Sequence, residues 1–151
     1  MKKILTLGLI YDQEKILLGY KKIGFGQGRW NGFGGKVEAH ETTQEAAIRE
    51  IQEEAGITPL DIKHRGILMF EFEGEEEVLE VHIFSAHDFK GELVESNEMK
   101  PEWFKLDQIP FNKMWPDDQY WLPFLLAGKN FSGTFLFKDQ KEIINHEISE
   151  I

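Results

Sequence analysis

The chain has 151 residues, 41% hydrophobic and 29% charged, with a formal net charge of -10 and no cysteine. That length suits one domain with a core of its own, and the acidity argues against a duplex nucleic acid partner, which calls for a basic footprint. The missing cysteine excludes disulfides and thiolate metal sites and fits a reducing, cytoplasmic location.

Ile4–Tyr11 and Lys15–Lys21 read as strands joined by the turn-prone Asp12-Gln13-Glu14. The first run is too short, and too soon followed by charge, for a signal peptide or a membrane span. Half of Gly24–Gly35 is glycine, so it reads as a loop, one carrying Phe25, Trp30 and Phe33. Thr42–Ala55 reads as a helix, with Thr42 or Thr43 to cap it, Gly56 to end it and Ile48, Ile51 and Ala55 as its apolar stripe. Arg65–Glu73 and Glu77–Asp88 follow as strands with a hairpin at Gly74 and a solvated tip at Glu75-Glu76-Glu77. Pro101–Leu106 is a short strand. Asp117-Asp118 opens a second helix through Trp121, Leu122, Leu125 and Leu126, with Pro123 in its early turns. Phe131–Phe137 and Glu142–Ile148 close the chain as a strand pair. Strands in the majority with two helices inserted predict a single α/β domain over 1–151, a mixed sheet flanked by helices.

Glu50, Glu53 and Glu54 stand at i, i+3 and i+4. On a helix they share an arc of about 100° and repel one another. The bland account is a solvated face with Glu45–Arg49 and Arg49–Glu53 pairs. The chemical account is a hard divalent cation with oxygen ligands. Ala46 and Ala47, one turn earlier, either leave room for a phosphate or simply favour the helix. His64, His82, His87 and His146 lack metal-ligand spacing and read as surface or packed residues. The acids also sit in a longer frame. Gly35, Glu41, Arg49-Glu50-Ile51, Glu53-Glu54 and Gly56-Ile57 satisfy G-x5-E-x7-R-E-U-x-E-E-x-G-U (U aliphatic) at every fixed position.

That frame resembles the Nudix box, and the chain is similar to the Nudix hydrolases, which split a nucleoside diphosphate linked to a further group. The resemblance implies an α/β/α sandwich. It implies Mg²⁺, replaceable by Mn²⁺, on Glu50, Glu53 and Glu54, with the Gly35 carbonyl and Glu98 nearby and Arg49 orienting Glu53. Glu53 or Glu98 would accept the proton of the attacking water. Such a cation neutralises polyphosphate charge and aligns a water for in-line attack.

The base pocket must come from elsewhere. Trp115-Pro-Asp117-Asp118 places an aromatic face beside two adjacent carboxyls, either a helix start with a stapling Trp or a purine slot. If both acids are buried, one holds a proton, so the pair both donates and accepts. Asn31 also does both. Gly24–Lys36, Met69–Phe72, Trp103–Phe111 and Met114–Asp118 together resemble, within the family, the MutT-type oxidised purine nucleoside triphosphatases of animals. That likeness implies base reading by Asn31, Asp117 and Asp118. It implies a slot walled by Trp115, Phe70 and Phe25, with Thr6, Lys21, Leu79, Met99 and Trp121 nearby. Leu79, Ile67 and Glu38-Ala39-His40 depart from that group's pattern, and the first two bear on base preference. Packing alone is the bland account of Phe70, Leu79 and Trp121. The expected activity is hydrolysis of 8-oxo-dGTP, and of 2-hydroxy-dATP, to monophosphate and pyrophosphate, which sanitises the nucleotide pool. The expected partner is a purine nucleotide, with no nucleic acid or membrane, on a monomer. The rival readings are a Nudix enzyme for methylated purine triphosphates or dinucleoside polyphosphates, and a non-catalytic nucleotide-binding module.

Overall fold

The computed structural model describes residues 1–151. Its first strands are β1 (Lys2–Tyr11), β2 (Lys15–Lys21), β3 (Trp30–Asn31) and β4 (Phe33–Lys36), followed by helix α1 (Thr43–Ala55). Then come β5 (Thr58–Pro59), β6 (Lys63–Phe72), β7 (Val78–Ala86), β8 (Phe89–Lys90) and β9 (Met99–Lys105). Helix α2 (Asp118–Leu126) and the pair β10 (Phe131–Phe137) and β11 (Ile143–Glu150) complete the chain. The two tight hairpins use one device. Asp12 Oδ1 accepts from the Glu14 and Lys15 amides, and Asp139 Oδ1 from those of Lys141 and Glu142.

The main sheet runs β11-β10-β6-β7-β1-β2-β3, parallel at β1–β7 and β6–β10 and otherwise antiparallel. β1 changes partner along its length. Leu5–Gly8 pair with β4, whereas Ile10 and Tyr11 pair with β2, which in turn carries β9. β3 and β4 correct the expectation of one long loop over Gly24–Gly35. Glycine hides the strand character of β4, because it serves there for close backbone approach rather than for turning. A Cβ on Gly34 would lie 1.8 Å from Thr6 O, so only glycine lets β4 pair with β1.

Strand alternation sorts the core into two halves. Leu9 and Leu18 face the half that holds Trp121, Leu122 and Leu125 of α2. Ile10 and Leu17, their chain neighbours, face Ile51 and Ala55 of α1. The helices therefore cover opposite faces, and the chain is an α/β/α sandwich with a mixed sheet. No helix is long and apolar enough to cross a membrane.

Candidate active site

α1 begins with a capping box. The Thr42 hydroxyl accepts from the Glu45 amide at 3.1 Å, and Glu45 Oε1 accepts from the Thr42 amide at 2.8 Å. Such a cap stabilises a helix by about 1 kcal/mol. It also takes Glu45 away from Arg49, so the expected Glu45–Arg49 pair does not form. Gly56, at φ 78°, ends the helix. Ala46 and Ala47 are fully buried on the packed face of the acid cluster's helix.

Arg49 answers the repulsion among the acids. Its Nε and Nη2 donate to Glu41 at 3.1 and 2.6 Å, and its Nη1 donates to Glu50 at 2.8 Å and Glu53 at 3.4 Å. Its Nη2 also reaches the Lys36 carbonyl at 3.2 Å, which ties α1 to the end of β4. The guanidinium pulls the Glu41 carboxyl down to about 2.

Glu54 turns inward, only 4% exposed, and its Oε1 accepts from the Gly34 amide at 2.9 Å. Burial, reinforced by Glu50, pushes its pKa up to about 8, and burial raises Glu50 as well. A Cβ on Gly35 would lie 2.8 Å from Glu50 Oε1, so glycine keeps the backbone open beside that acid. Desolvated carboxylates are costly unless a cation offsets them. Every donor here is a hard oxygen, so the residues fit a divalent ion such as Mg²⁺.

The five expected metal residues do not form a ready cage, and no three acidic or histidine side chains converge on one point. Arg49 holds Glu50 and Glu53 sideways, and Lys21 Nζ lies 3.6 Å from Glu98.

A cavity of about 780 Å³ runs across the sheet from Gly35 and Glu54, and Glu50, Glu53 and Glu98 do not border it. Every residue named above for substrate binding borders it. Thr6, which pairs with Gly35, and Met99, which pairs with Lys21, stand at the end shared with Gly34, Gly35 and Glu54. Phe70 and Leu79 pair across β6 and β7 to form part of the wall. Phe25 lies 4.9 Å from Trp115, ring to ring, although its own side is 59% exposed. Asn31 Oδ1 accepts from the Gly32 amide, so its NH₂ is the group left for a ligand. Trp121 borders the cavity and is also core. Ile67 does not border it. β6 presents Leu68, Phe70 and Phe72 to the cavity, and alternation turns Ile67 to the other face. Glu75 and Glu77, expected as plain hairpin tip, stand at the mouth.

Asp117 and Asp118 are 4% and 2% exposed at the start of α2. Asp117 does not cap the helix; its Oδ2 accepts from Trp121 Nε1 at 2.7 Å instead. Burial raises both carboxyls, and the charge of Asp117 drives Asp118 well above the ordinary range. The indole donor favours the ionised form of Asp117, and the charge of Asp117 favours the protonated form of Asp118. Asp118 Oδ2 and Thr6 Oγ1 are buried with no partner, two orphaned polar atoms at residues that border the cavity. Sequence reasoning missed Arg29. Its guanidinium carbon lies 4.3 Å over the Trp115 ring, and its Nη2 donates to the Gln140 carbonyl. Its charge opposes, without cancelling, the rise of both aspartyl carboxyls. A basic residue inside an aromatic-bearing glycine loop was the available signal.

Comparison with known proteins agrees with this arrangement. Residues 1–125 match the NUDIX domain family. The oxidized purine nucleoside triphosphate hydrolase of Mus musculus is 50% identical over 99% of this chain and 96% of its own length. The Danio rerio protein of the same name is 49% identical over the same shares. Among solved structures, a MutT protein from Bacillus halodurans superposes with a TM-score of 0.87 at 28% identity, covering 97% of each chain. The chain belongs to the Nudix hydrolase family.

Proposed function

We propose that this enzyme hydrolyses oxidised purine nucleoside triphosphates, 8-oxo-dGTP first, to the monophosphate and pyrophosphate, as a monomeric, cytoplasmic, single-domain sanitiser of the nucleotide pool. One observation carries the reading. A single cavity has a glycine-backed carboxylate, Glu54, at one end and a buried carboxyl pair beside a tryptophan at the other. The first end suits a metal-bound polyphosphate, and the second suits a purine edge. The names of the mouse and zebrafish relatives support the same substrate class.

Glu50, Glu53, Glu54, Glu98 and the Gly35 carbonyl would hold Mg²⁺, or Mn²⁺ in its place. When bound, the ion supplies charge neutralisation on the phosphate oxygens and acidifies water. The chain does the rest. Water attacks the β-phosphorus, its oxygen leaves with pyrophosphate, and the nucleoside monophosphate departs with the bridging oxygen. Glu53 or Glu98, the more exposed acids, takes the proton. Lys21 moves from Glu98 toward phosphate, and Arg49 keeps Glu53 oriented. At the base, the Asn31 amide donates, Asp117 accepts and the Asp118 hydroxyl donates or shares its proton.

The test is a panel of dGTP, 8-oxo-dGTP, 2-hydroxy-dATP and O6-methyl-dGTP with Mg²⁺, scored for pyrophosphate release. The oxidised purines should turn over fastest. Equal rates on dGTP and 8-oxo-dGTP would remove the sanitation reading. Glu53→Gln should abolish most turnover while nucleotide binding survives, and full activity in that variant would remove the metal assignment.

A further inference from the structure

Arg65 is a charged residue that none of this chemistry uses. It sits on β6, only 5% exposed. It has no carboxylate partner; each of its acceptors is neutral. Nε donates to Asn130 Oδ1 at 3.0 Å. Nη1 donates to the Tyr11 hydroxyl at 2.9 Å and Ser85 Oγ at 3.0 Å. Nη2 donates to the backbone carbonyls of Leu125 at 3.1 Å and Lys129 at 2.8 Å. The Tyr11 hydroxyl in turn donates to the Leu125 carbonyl at 2.9 Å.

Burying an unpaired guanidinium is costly, so its placement needs a reason. The reason is where the carbonyls belong. Leu125 lies in the last turn of α2, and Lys129 follows the helix end. That turn has no basic residue of its own. Arg65 supplies the cation that the carbonyl end of a helix dipole favours, from a strand in the centre of the sheet. The other end of the same helix carries Asp117 and Asp118. Seven residues, about 10 Å of rise, separate Asp118 from Leu125. Pro123 removes one ladder bond between the two ends, but a nine-residue helix packed in a dense core has little room to bend, so a clamp at one end sets the depth of the other.

We propose that Arg65 is a positioning residue for base recognition: by gripping the C-terminal end of α2 it fixes how far the Asp117–Asp118 pair projects into the purine slot. The proposal rests on the base-reading role assigned above. It predicts an effect on selectivity from a residue that touches no substrate, because small displacements of a recognition group are expensive.

Arg65→Met removes the five bonds and keeps an apolar stem. Arg65→Lys keeps the charge without the fork, and Tyr11→Phe removes one bridge while leaving Arg65 in place. Each is assayed as the full chain, below its measured unfolding temperature, on 8-oxo-dGTP and dGTP. The Trp121 indole N–H resonance is recorded alongside, since that proton donates to Asp117. In Arg65→Met the ratio of kcat/KM for 8-oxo-dGTP over dGTP should fall about tenfold through KM, with kcat nearly unchanged, and the indole resonance should move. Arg65→Lys should recover only part of the ratio, and Tyr11→Phe should show a smaller change of the same sign. A lower unfolding temperature with ratio and resonance unchanged would overturn the proposal, leaving a purely structural clamp. If Arg65→Met does not fold, the Lys and Phe variants decide by the same two readouts. A wild type with no preference for 8-oxo-dGTP defeats the substrate reading instead, and the Trp121 resonance then still decides whether Arg65 sets the position of Asp117.

Discussion

The indole N–H of Trp121 donates to Asp117 Oδ2 at 2.7 Å, one turn along α2 in the buried floor of the slot. This bond favours the ionised form of Asp117. Trp121→Phe keeps the packing and removes the donor. A charge-assisted bond of this kind is worth about 1.5–3 kcal/mol, so kcat/KM on 8-oxo-dGTP should fall roughly 10- to 100-fold. Losing a donor that favours the anion raises the pKa of Asp117. The acid limb of the kcat/KM profile should therefore move to higher pH. An unchanged profile would show that Asp117 is not the titrating reader.

Asp118 yields a stability prediction with a definite sign. Its folded pKa is raised well above 3.8, first by burial and then by the charge of Asp117. A carboxyl raised in this way helps the folded state fully below its unfolded value, and the help is lost as pH rises through the folded value. Asn is neutral throughout. Asp118→Asn should unfold at nearly the wild-type temperature near pH 4 and progressively above it as pH rises. Each kcal/mol gained lifts Tm by about 2–4 °C at this size. Thermal scans from pH 4 to 8 measure the gap, and a gap that does not widen counts against a protonated Asp118. The same variant should lose base selectivity, since it trades a carboxyl for an amide.

Arg29 links three parts of the slot: its own loop, the Trp115 ring beneath it and the Gln140 carbonyl of the β10–β11 turn. Arg29→Met keeps bulk over the ring but drops the charge and the latch. The cation–π contact alone is worth about 0.5–2 kcal/mol, so KM for 8-oxo-dGTP should rise about 3- to 30-fold with kcat nearly constant. Steady-state kinetics on both terms check this. A fall in kcat with KM unchanged would place Arg29 in the chemical step instead.

How far the molecule could be read from its residues depended on which contacts are local. Phe131–Phe137 matches its observed strand, and α1 began and ended at Thr42 and Gly56, because alternation and caps are local signals. β4 was hidden because Gly34 looks like a turn residue but serves close pairing with β1, and the two-residue β3 is too short to show alternation. The acid helix was legible as chemistry, yet its burial pattern was not. Ile51 and Ala55 are buried as expected and Ile48 is only half-buried, while Glu54 is buried as well with its Oε1 accepting from the Gly34 amide. Arg29 over Trp115 and Arg65 under Leu125 depend on loops and strands far apart in the chain, and no spacing encodes them.

The metal end is testable without turnover. Glu50 and Glu54 are both raised by burial, and Glu54 stands at about 8, so the empty-handed carboxylates weaken the fold wherever they ionise. A divalent ion that binds only the folded state should reverse this. At tenfold over its Kd the gain is about 1.4 kcal/mol, which at this chain length lifts Tm by about 3–6 °C. Thermal scans with EDTA and with rising MgCl₂ should show that lift in the wild type. Glu54→Gln should start at a higher Tm than the wild type in EDTA above pH 8, because it removes a buried charge, and should gain little from Mg²⁺. An equal Mg²⁺ response in the two proteins would mean that Glu54 does not hold the ion.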